Sequence, residues 1–174
     1  MTRFMEIPPG TLDRTGYLAR YGGVYEHSPW IAEAVWNAGA VSGDVGALAD
    51  AMAAQVEAAG PEAQLALLCA HPDLAGKLAV RGELTSESTS EQAGAGLDRC
   101  SPGEFDEFQR LNDAYKARFG FPFILAVKGY DRAGILEQFR RRVGNDLEVE
   151  FREALDQVHR IARLRLQALA EEAP

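Results

Sequence analysis

The sequence predicts an all-α fold: a single-domain, multi-helix bundle over residues 1–174, with one extended buried connection at about residues 121–127. Apolar residues recur at helical spacing along most of the chain, and glycine and proline cluster between these periodic segments. Only one segment has the composition of a β-strand. With 174 residues, of which 47% are hydrophobic, the chain is long enough to bury a full core in one domain.

Each of the first four predicted helices has a proline or a glycine at one or both ends. Ser28-Pro29 places a capping serine before a proline at the first helical position, which is typical of a helix start. Pro61 opens a helix in the same way. His71-Pro72 ends that helix, because proline disfavours helical geometry in the residue before it. We therefore expect helices over residues 12–20, 28–39, 45–59 and 61–70.

The second half of the chain predicts four more helices. One should start near Ser88 or Ser90. Ser101-Pro102-Gly103-Glu104 has the spacing of a capping box with proline at the first helical position. Asp131 should cap the next helix. The last and longest helix should run from about residue 145 to residue 170.

Residues 121–127 (FPFILAV) depart from helical periodicity. Their β-branched and aromatic side chains are typical of a strand. No other segment of the sequence has the pattern of a partner strand, and an isolated strand is not stable. We therefore expect this segment to be an extended, buried connection.

The net charge of −8 argues against nucleic acid as a partner, because a nucleic-acid binder needs a basic face to neutralise phosphates. The densest basic run, Arg140-Arg141-Arg142, should be the solvated face of a helix. No apolar run approaches the roughly 20 residues of a membrane span, and the first residues lack the apolar stretch of a signal peptide. We expect a cytoplasmic protein with no membrane partner and no peroxisomal targeting signal.

The two cysteines, Cys69 and Cys100, give no sign of a metal site. Neither lies in a CxxC or histidine-rich context that would indicate zinc. In a reducing cytosol both should be free thiols. We expect neither a metal nor a cofactor.

Groups suited to proton transfer and hydrogen bonding gather at two predicted helix ends. His71 ends one helix, and Ser88, Glu91 and Gln92 lie near the start of another. Histidine titrates near neutral pH, so these groups could carry out acid–base chemistry on a small polar molecule without a metal. Each has a structural alternative: His71 could bond the last carbonyls of its helix, and Ser88 and Glu91 have capping-box spacing. A cap does not need Gln92.

Arg165 falls on the apolar side of the last predicted helix. At about 100° per residue it lies inside the apolar arc, whereas Arg160 and Arg163 point away from it. A guanidinium keeps its proton, and an unpaired buried charge is very costly. Arg165 should therefore meet an internal partner such as Glu91 or Asp73, extend its head to water, or bind a substrate carboxylate in bidentate fashion.

Four motifs, in this order and spacing, resemble one known family, the 2-oxo-4-hydroxy-4-carboxy-5-ureidoimidazoline (OHCU) decarboxylases of urate breakdown. The resemblance covers nearly the whole chain, from about residue 10 to residue 170. The motifs are GGVYEHSPW at residues 22–30, HPDL at 71–74, LT followed by SxxEQAG at 84–94, and FGFPF at 119–123.

The resemblance implies an all-helical, cofactor-free carboxy-lyase, usually a homodimer, that converts OHCU to (S)-allantoin. It implies that His71 is the general acid and that Glu91 is the second catalytic residue. It also implies backbone contacts with substrate in the extended segment, whose amides would be free for the ligand. The implied substrate-binding residues are Pro72, Ser88, Glu91, Gln92, Phe123, Ile124, Leu125, Ala126, Val127 and Arg165.

Two other functions fit the same residues. A non-catalytic helical binding or dimerisation module would tolerate replacement of His71 and Glu91 but not of its apolar faces. Another cofactor-free lyase or isomerase would act on a related heterocycle, and a panel of substrates would separate it from an OHCU decarboxylase.

Overall fold

The computed structural model describes residues 2–172, and this part of the chain contains nine α-helices and no β-sheet, which confirms the all-α prediction. Phe4 and Asp44 form an isolated β-bridge. Two 3-10 helices, Pro9–Thr11 and Leu97–Arg99, are one turn long. The helices are α1 (Arg14–Tyr21), α2 (Trp30–Asn37), α3 (Val45–Ala58), α4 (Pro61–Cys69), α5 (Lys77–Arg81), α6 (Ser86–Gly94), α7 (Pro102–Phe119), α8 (Arg132–Arg142) and α9 (Leu147–Glu171).

Side-chain caps fix the starts of several helices. Asp13, Asp44, Ser101 and Asp131 each accept a hydrogen bond from the backbone N–H three residues further on. Each cap satisfies a donor that helix geometry leaves without a partner. The caps predicted at Ser101 and Asp131 are confirmed. At Ser101 the capping box is complete, because the Glu104 carboxylate accepts from the Ser101 N–H at 2.9 Å.

The cap predicted at Ser28 is wrong, and so is the capping box that Ser88 and Glu91 offered as a structural alternative. The Ser28 hydroxyl donates to the Glu26 carbonyl at 2.9 Å and makes no cap for α2. Helix α6 begins two residues before Ser88, and the Thr85 hydroxyl caps it by accepting from the Ser88 N–H at 3.2 Å. Ser88 and Glu91 therefore both lie inside α6, where they cannot form a capping box. The short helix α5 was not predicted.

The chain divides into two compact units, and the first comprises residues 2–70 and 158–172. It contains α1 to α4 and the second part of α9, and α2 packs against both α1 and α3. The prediction of a single domain over residues 1–174 stays a prediction. The most buried side chains of this unit are Tyr17, Tyr21, Ile31, Val35, Leu48, Met52, Val56, Leu68 and Leu166.

The second unit, residues 71–157, has an aromatic core. Phe123 stacks on Phe139 with 3.9 Å between ring centroids. Tyr115 meets Phe121, Phe123 and Phe139 edge to face. Aromatic pairs of these kinds add to the free energy gained from burying area alone. The core therefore joins α7 and α8 to the segment between them.

That segment, residues 121–127, is extended and buried along its whole length, as predicted. Side chains, and not a partner strand, bond two of its backbone groups. Arg142 Nη1 donates to the Ile124 carbonyl at 2.7 Å, and the Ala126 N–H donates to Gln157 Oε1 at 2.9 Å. These bonds meet part of the need that a buried backbone has for hydrogen-bond partners.

The prediction that Arg140-Arg141-Arg142 forms a solvated face is wrong for Arg142. Arg140 and Arg141 are exposed and bond Glu107 and Gln138, but Arg142 is fully buried. Three successive residues span about 200° of a helix. One member of the run therefore turns towards the core of the unit, where it needs a partner.

Candidate active site

His71 lies directly after α4, where the chain leaves the helix. Ala70 is the C-cap of α4, and Pro72 prevents the helix from continuing. His71 is only 9% exposed. An imidazole held at a helix end with little water around it is suited to deliver a proton to a bound molecule.

The loop after His71 is bound by the carboxamide of Gln92. Its Oε1 accepts from the Ala75 N–H at 3.0 Å, and its Nε2 donates to the Asp73 carbonyl at 3.3 Å. These partners fix which way the amide faces, because a backbone N–H only donates and a carbonyl only accepts. The second N–H of Gln92 has no partner among the described residues.

Helix α7 supplies two more carboxamides to the same loop. Gln109 Nε2 donates to the Ala75 carbonyl at 2.8 Å, and Asn112 Nδ2 donates to the Leu74 carbonyl at 3.0 Å. Asn112 is 1% exposed, and Gln109 is half-buried. The carbonyl oxygens of three consecutive residues, 73–75, are therefore all held by side-chain amides.

Sequence reasoning missed Gln109 and Asn112. Asn112 carried a detectable signal, because it lies at helical spacing from Phe108 and Tyr115 and so on the buried face of α7. A polar residue on an apolar face indicates a specific partner, as it did for Arg165. Gln109 lies beside that face and carried no such signal.

Ser88, Glu91 and Gln92 lie on one face of α6, because residues three and four apart are neighbours on a helix. Ser88 and Gln92 are buried, and Glu91 is half-buried. Through Gln92, α6 is bonded to the loop that begins at His71 and Pro72. The structure thus joins Gln92 to the loop that follows His71. Ser88 and Glu91 lie on the same face of α6 as Gln92.

The extended segment has fewer available amides than expected. The expectation that its amides are all free is wrong for Ala126, whose N–H is bound by Gln157. The Val127 carbonyl accepts from the Tyr130 N–H at 2.9 Å. Within residues 2–172, the N–H groups of Phe123, Ile124, Leu125 and Val127 donate to no acceptor and can donate to a ligand.

The extended segment contacts a buried ion pair between Arg142 and Glu150. Arg142 donates to Glu150 Oε2 through Nη2 at 2.9 Å, and its guanidinium carbon lies 4.5 Å from the centroid of the Phe123 ring. Burial by itself raises the pKa of Glu150, but hydrogen bonds from Arg142, Tyr115 and Asn145 outweigh burial and hold this pKa below its ordinary value. Burial, and then the hydrogen bond to Glu150, raise the pKa of Tyr115, so its hydroxyl stays a donor.

In the first unit, Arg165 is buried, as the periodicity of the last helix predicts. Its Nη2 donates to Glu26 Oε2 at 2.8 Å, and its Nη1 donates to the Gly23 carbonyl at 3.3 Å. Glu26 is 1% exposed, so the two form a buried ion pair. The sequence did not point to Glu26, which lies 139 residues before Arg165.

Within residues 2–172, no three His, Cys, Asp or Glu side chains are grouped in a way that could hold a metal ion. Cys69 and Cys100 are not joined in a disulfide. None of the helices in this part of the chain combines the length and the apolar character needed to cross a membrane.

These residues define an all-α protein in which carboxamides from two helices bind the loop of a buried histidine. Such an arrangement is suited to proton transfer on a small polar molecule. Residues 10–167 match the model of the OHCU decarboxylase family, and the chain belongs to that family.

Individual relatives match over most of their length. The chain is 46% identical over 155 residues to the OHCU decarboxylase of Haloferax volcanii, and the alignment covers 89% of each chain. It is 38% identical over 164 residues to the putative OHCU decarboxylase of Homo sapiens, with 94% of each chain covered.

Two solved structures share the fold. The crystal structure of an (S)-allantoin synthase matches with a TM-score of 0.73 and 33% identity, over 92% of this chain and 52% of that one. This chain therefore corresponds to about half of that protein. The crystal structure of an OHCU decarboxylase in the presence of (S)-allantoin matches with a TM-score of 0.68 and 23% identity, over 86% and 96% of the two chains.

Proposed function

We propose that the protein is a carboxy-lyase that converts OHCU to (S)-allantoin in urate breakdown. Membership of the OHCU decarboxylase family over residues 10–167 carries this proposal, and a relative of that name is 46% identical over 155 residues. The buried His71 supports it, because the reaction needs a group that delivers a proton.

Decarboxylation of OHCU needs a group that accepts the electron pair left by carbon dioxide. It also needs a proton delivered to one face of the ring. The bond from the carboxylate carbon to the ring breaks, carbon dioxide leaves, and the electron pair moves towards the adjacent C=N bond. A proton then binds the ring carbon that bears the ureido group, which becomes the stereocentre of allantoin. The hydroxyl passes its proton to the ring nitrogen and becomes a carbonyl. Orientation of the ring and protonation on one face are thus the main tasks of the enzyme.

In this proposal the protonated imidazole of His71 is the proton donor. A positioned acid of this kind contributes typically about 10²–10⁴-fold to a rate. Glu91, the second proposed catalytic residue, orients the substrate by accepting hydrogen bonds from ring or ureido N–H groups. Pro72 lines the site next to His71.

The remaining proposed contacts hold the substrate's oxygens. Gln92 acts as a donor, because its oxygen and one N–H already bind the loop backbone. Ser88 contributes a hydroxyl from the same face of α6. The amides of the extended segment and the guanidinium of Arg165 are further donors suited to carboxylate and carbonyl oxygens. The residues proposed in the extended segment are Phe123, Ile124, Leu125, Ala126 and Val127.

The test is to generate OHCU from urate in the cuvette, add the protein, and follow the circular dichroism of the product. We expect rapid growth of a chiral allantoin signal. His71→Asn should abolish most of this growth while the far-ultraviolet spectrum stays unchanged. His27→Asn is the matched control, because the side chain of His27 is 65% exposed and asparagine tolerates its positive φ.

Slow formation of racemic product, at the rate seen in buffer, would contradict the decarboxylase function and favour a non-catalytic helical module. Activity on related heterocycles but not on OHCU would favour a different lyase or isomerase. Normal turnover by His71→Asn would show that His71 is not the proton donor, and the proposed decarboxylase activity would still stand.

We further propose that the enzyme works as a homodimer in the cytoplasm, without a cofactor, and that residues 1–174 act as one domain. Light scattering on a sizing column tests the first point, since a dimer has twice the 18.9 kDa of the chain.

A further inference from the structure

The loop from His71 to Gly76 has a tight backbone conformation. Ala75 has φ of +51°, a region that side chains other than glycine rarely adopt. A Cβ added to Gly76 would lie 2.7 Å from Cβ of Asp73, so the chain folds back closely on itself here. A backbone strained in this way persists only when its surroundings over-determine it.

Side-chain amides provide that restraint. Gln92 of α6 binds the loop at Asp73 and Ala75. Gln109 and Asn112 of α7 bind it at the carbonyls of Ala75 and residue 74. Carboxamides suit this task because they offer donors and acceptors without charge. An ion pair from α7 acts beside them, since Lys116 Nζ donates to Asp73 Oδ2 at 2.6 Å.

We propose that Gln109 and Asn112 are positioning residues for the proton transfer from His71. They fix the backbone of residues 73–75, and that backbone sets the direction of the His71 imidazole. The inference rests on the proposed function, which gives His71 a proton to deliver. Neither residue needs to touch the substrate, so neither belongs to the predicted binding set.

Gln109 is the better residue to test, because it is half-buried and makes one hydrogen bond to the loop. Gln109→Leu keeps the size of the side chain and removes the donor. Gln109→Glu keeps the shape almost unchanged and also lacks the donor. Gln138→Leu is the matched control: Gln138 is a half-buried helical glutamine that bonds Arg141 and not the loop.

The kinetic experiment separates proton delivery from binding. In Gln109→Leu and Gln109→Glu we expect kcat to fall about tenfold or more, since a misplacement near 1 Å can cost about 100-fold. KM should stay within about twofold of the wild type, because the binding groups are unchanged. Gln138→Leu should have wild-type values of both. Loss of folded protein would also lower the apparent kcat at an unchanged KM, so kcat is calculated per folded molecule from the far-ultraviolet circular dichroism of each variant.

The second measurement needs no substrate. With ¹⁵N-labelled histidine, the ring signals of His71 are assigned by their loss in His71→Asn. We expect these signals to shift in both Gln109 variants and to stay in place in Gln138→Leu. Unchanged ring signals and unchanged kcat in the Gln109 variants would overturn the positioning role. A wild-type protein that forms no chiral allantoin would overturn the function instead, so the two failures are distinguishable.

Discussion

Arg142 and Glu150 form a fully buried ion pair across the turn that joins α8 to α9, eight residues apart in the chain. The same guanidinium donates to the Ile124 carbonyl at 2.7 Å. A buried pair is favourable only if its remaining donors and acceptors are satisfied. Here Tyr115 and Asn145 complete the shell around the carboxylate. The pair therefore ties two helices and the extended segment together.

Arg142→Met should lower the free energy of unfolding by about 3–5 kcal/mol, because it leaves the Glu150 carboxylate buried without its counter-ion. Glu150→Met should cost a similar amount for the converse reason. The double variant should cost clearly less than the sum of the two, since no charge is then left unpaired. Urea unfolding of the four proteins measures this, with the exposed neighbour Arg141→Met as the control, expected within about 0.5 kcal/mol of the wild type. Additive costs would show that the two charges do not depend on each other.

Stability should fall at acid pH partly through Glu150. Its pKa in the folded protein lies below the value of about 4.3 in an unfolded chain, so the unfolded state binds more protons in this range. The stabilisation is complete above about pH 5 and is lost as the pH falls through 4. In thermal melts from pH 6 to 3, Glu150→Gln should have a lower Tm at pH 6 but a shallower decline than the wild type. Glu148→Gln, an exposed neighbour on α9, should follow the wild type. Parallel curves for wild type and Glu150→Gln would be evidence against this role.

The sequence allowed prediction of what depends on local spacing. The caps at Ser101 and Asp131 and the inward direction of Arg165 follow from residues within one or two helical turns. The error at Ser88 is also local. Thr85 precedes Ser88 by the same three residues by which Ser88 precedes Glu91, so spacing alone offers two possible caps. In the structure α6 begins at Ser86, and Thr85 is the residue that caps it.

Long-range pairings could not be predicted from the sequence. Glu26 meets Arg165 across 139 residues, and no periodic pattern links such distant positions. Arg142 is different, because its buried position did carry a local signal: it lies seven residues after Ile135 and three after Phe139, on the apolar face of α8. Candidate site residues were found where their chemistry is unusual for their position, as for His71. Gln109 was missed because a glutamine on a half-buried helix surface is not unusual for its position.

The Thr85 cap should contribute about 1 kcal/mol to stability. Thr85→Ala removes the acceptor for the Ser88 N–H and should lower the free energy of unfolding by about that amount. Thr85→Ser keeps the hydroxyl and should recover most of the loss. Ser90→Ala, an exposed position inside α6, is the control and should change little. The comparison by urea unfolding also decides the cap assignment, because a Ser88 cap would make Thr85→Ala nearly neutral.

Arg165→Lys should mainly weaken substrate binding. Lysine keeps the charge, but it cannot make the two parallel hydrogen bonds of a guanidinium with a carboxylate. We expect KM to rise roughly tenfold, which corresponds to about 1.4 kcal/mol of lost binding, with a smaller change in kcat. The matched control is Arg163→Lys on the same helix, where an exposed arginine pairs with Asp50; its KM should be that of the wild type. Steady-state kinetics on OHCU generated from urate gives both constants. If KM stays unchanged in Arg165→Lys while the free energy of unfolding falls, the pair with Glu26 is structural and Arg165 does not hold the substrate.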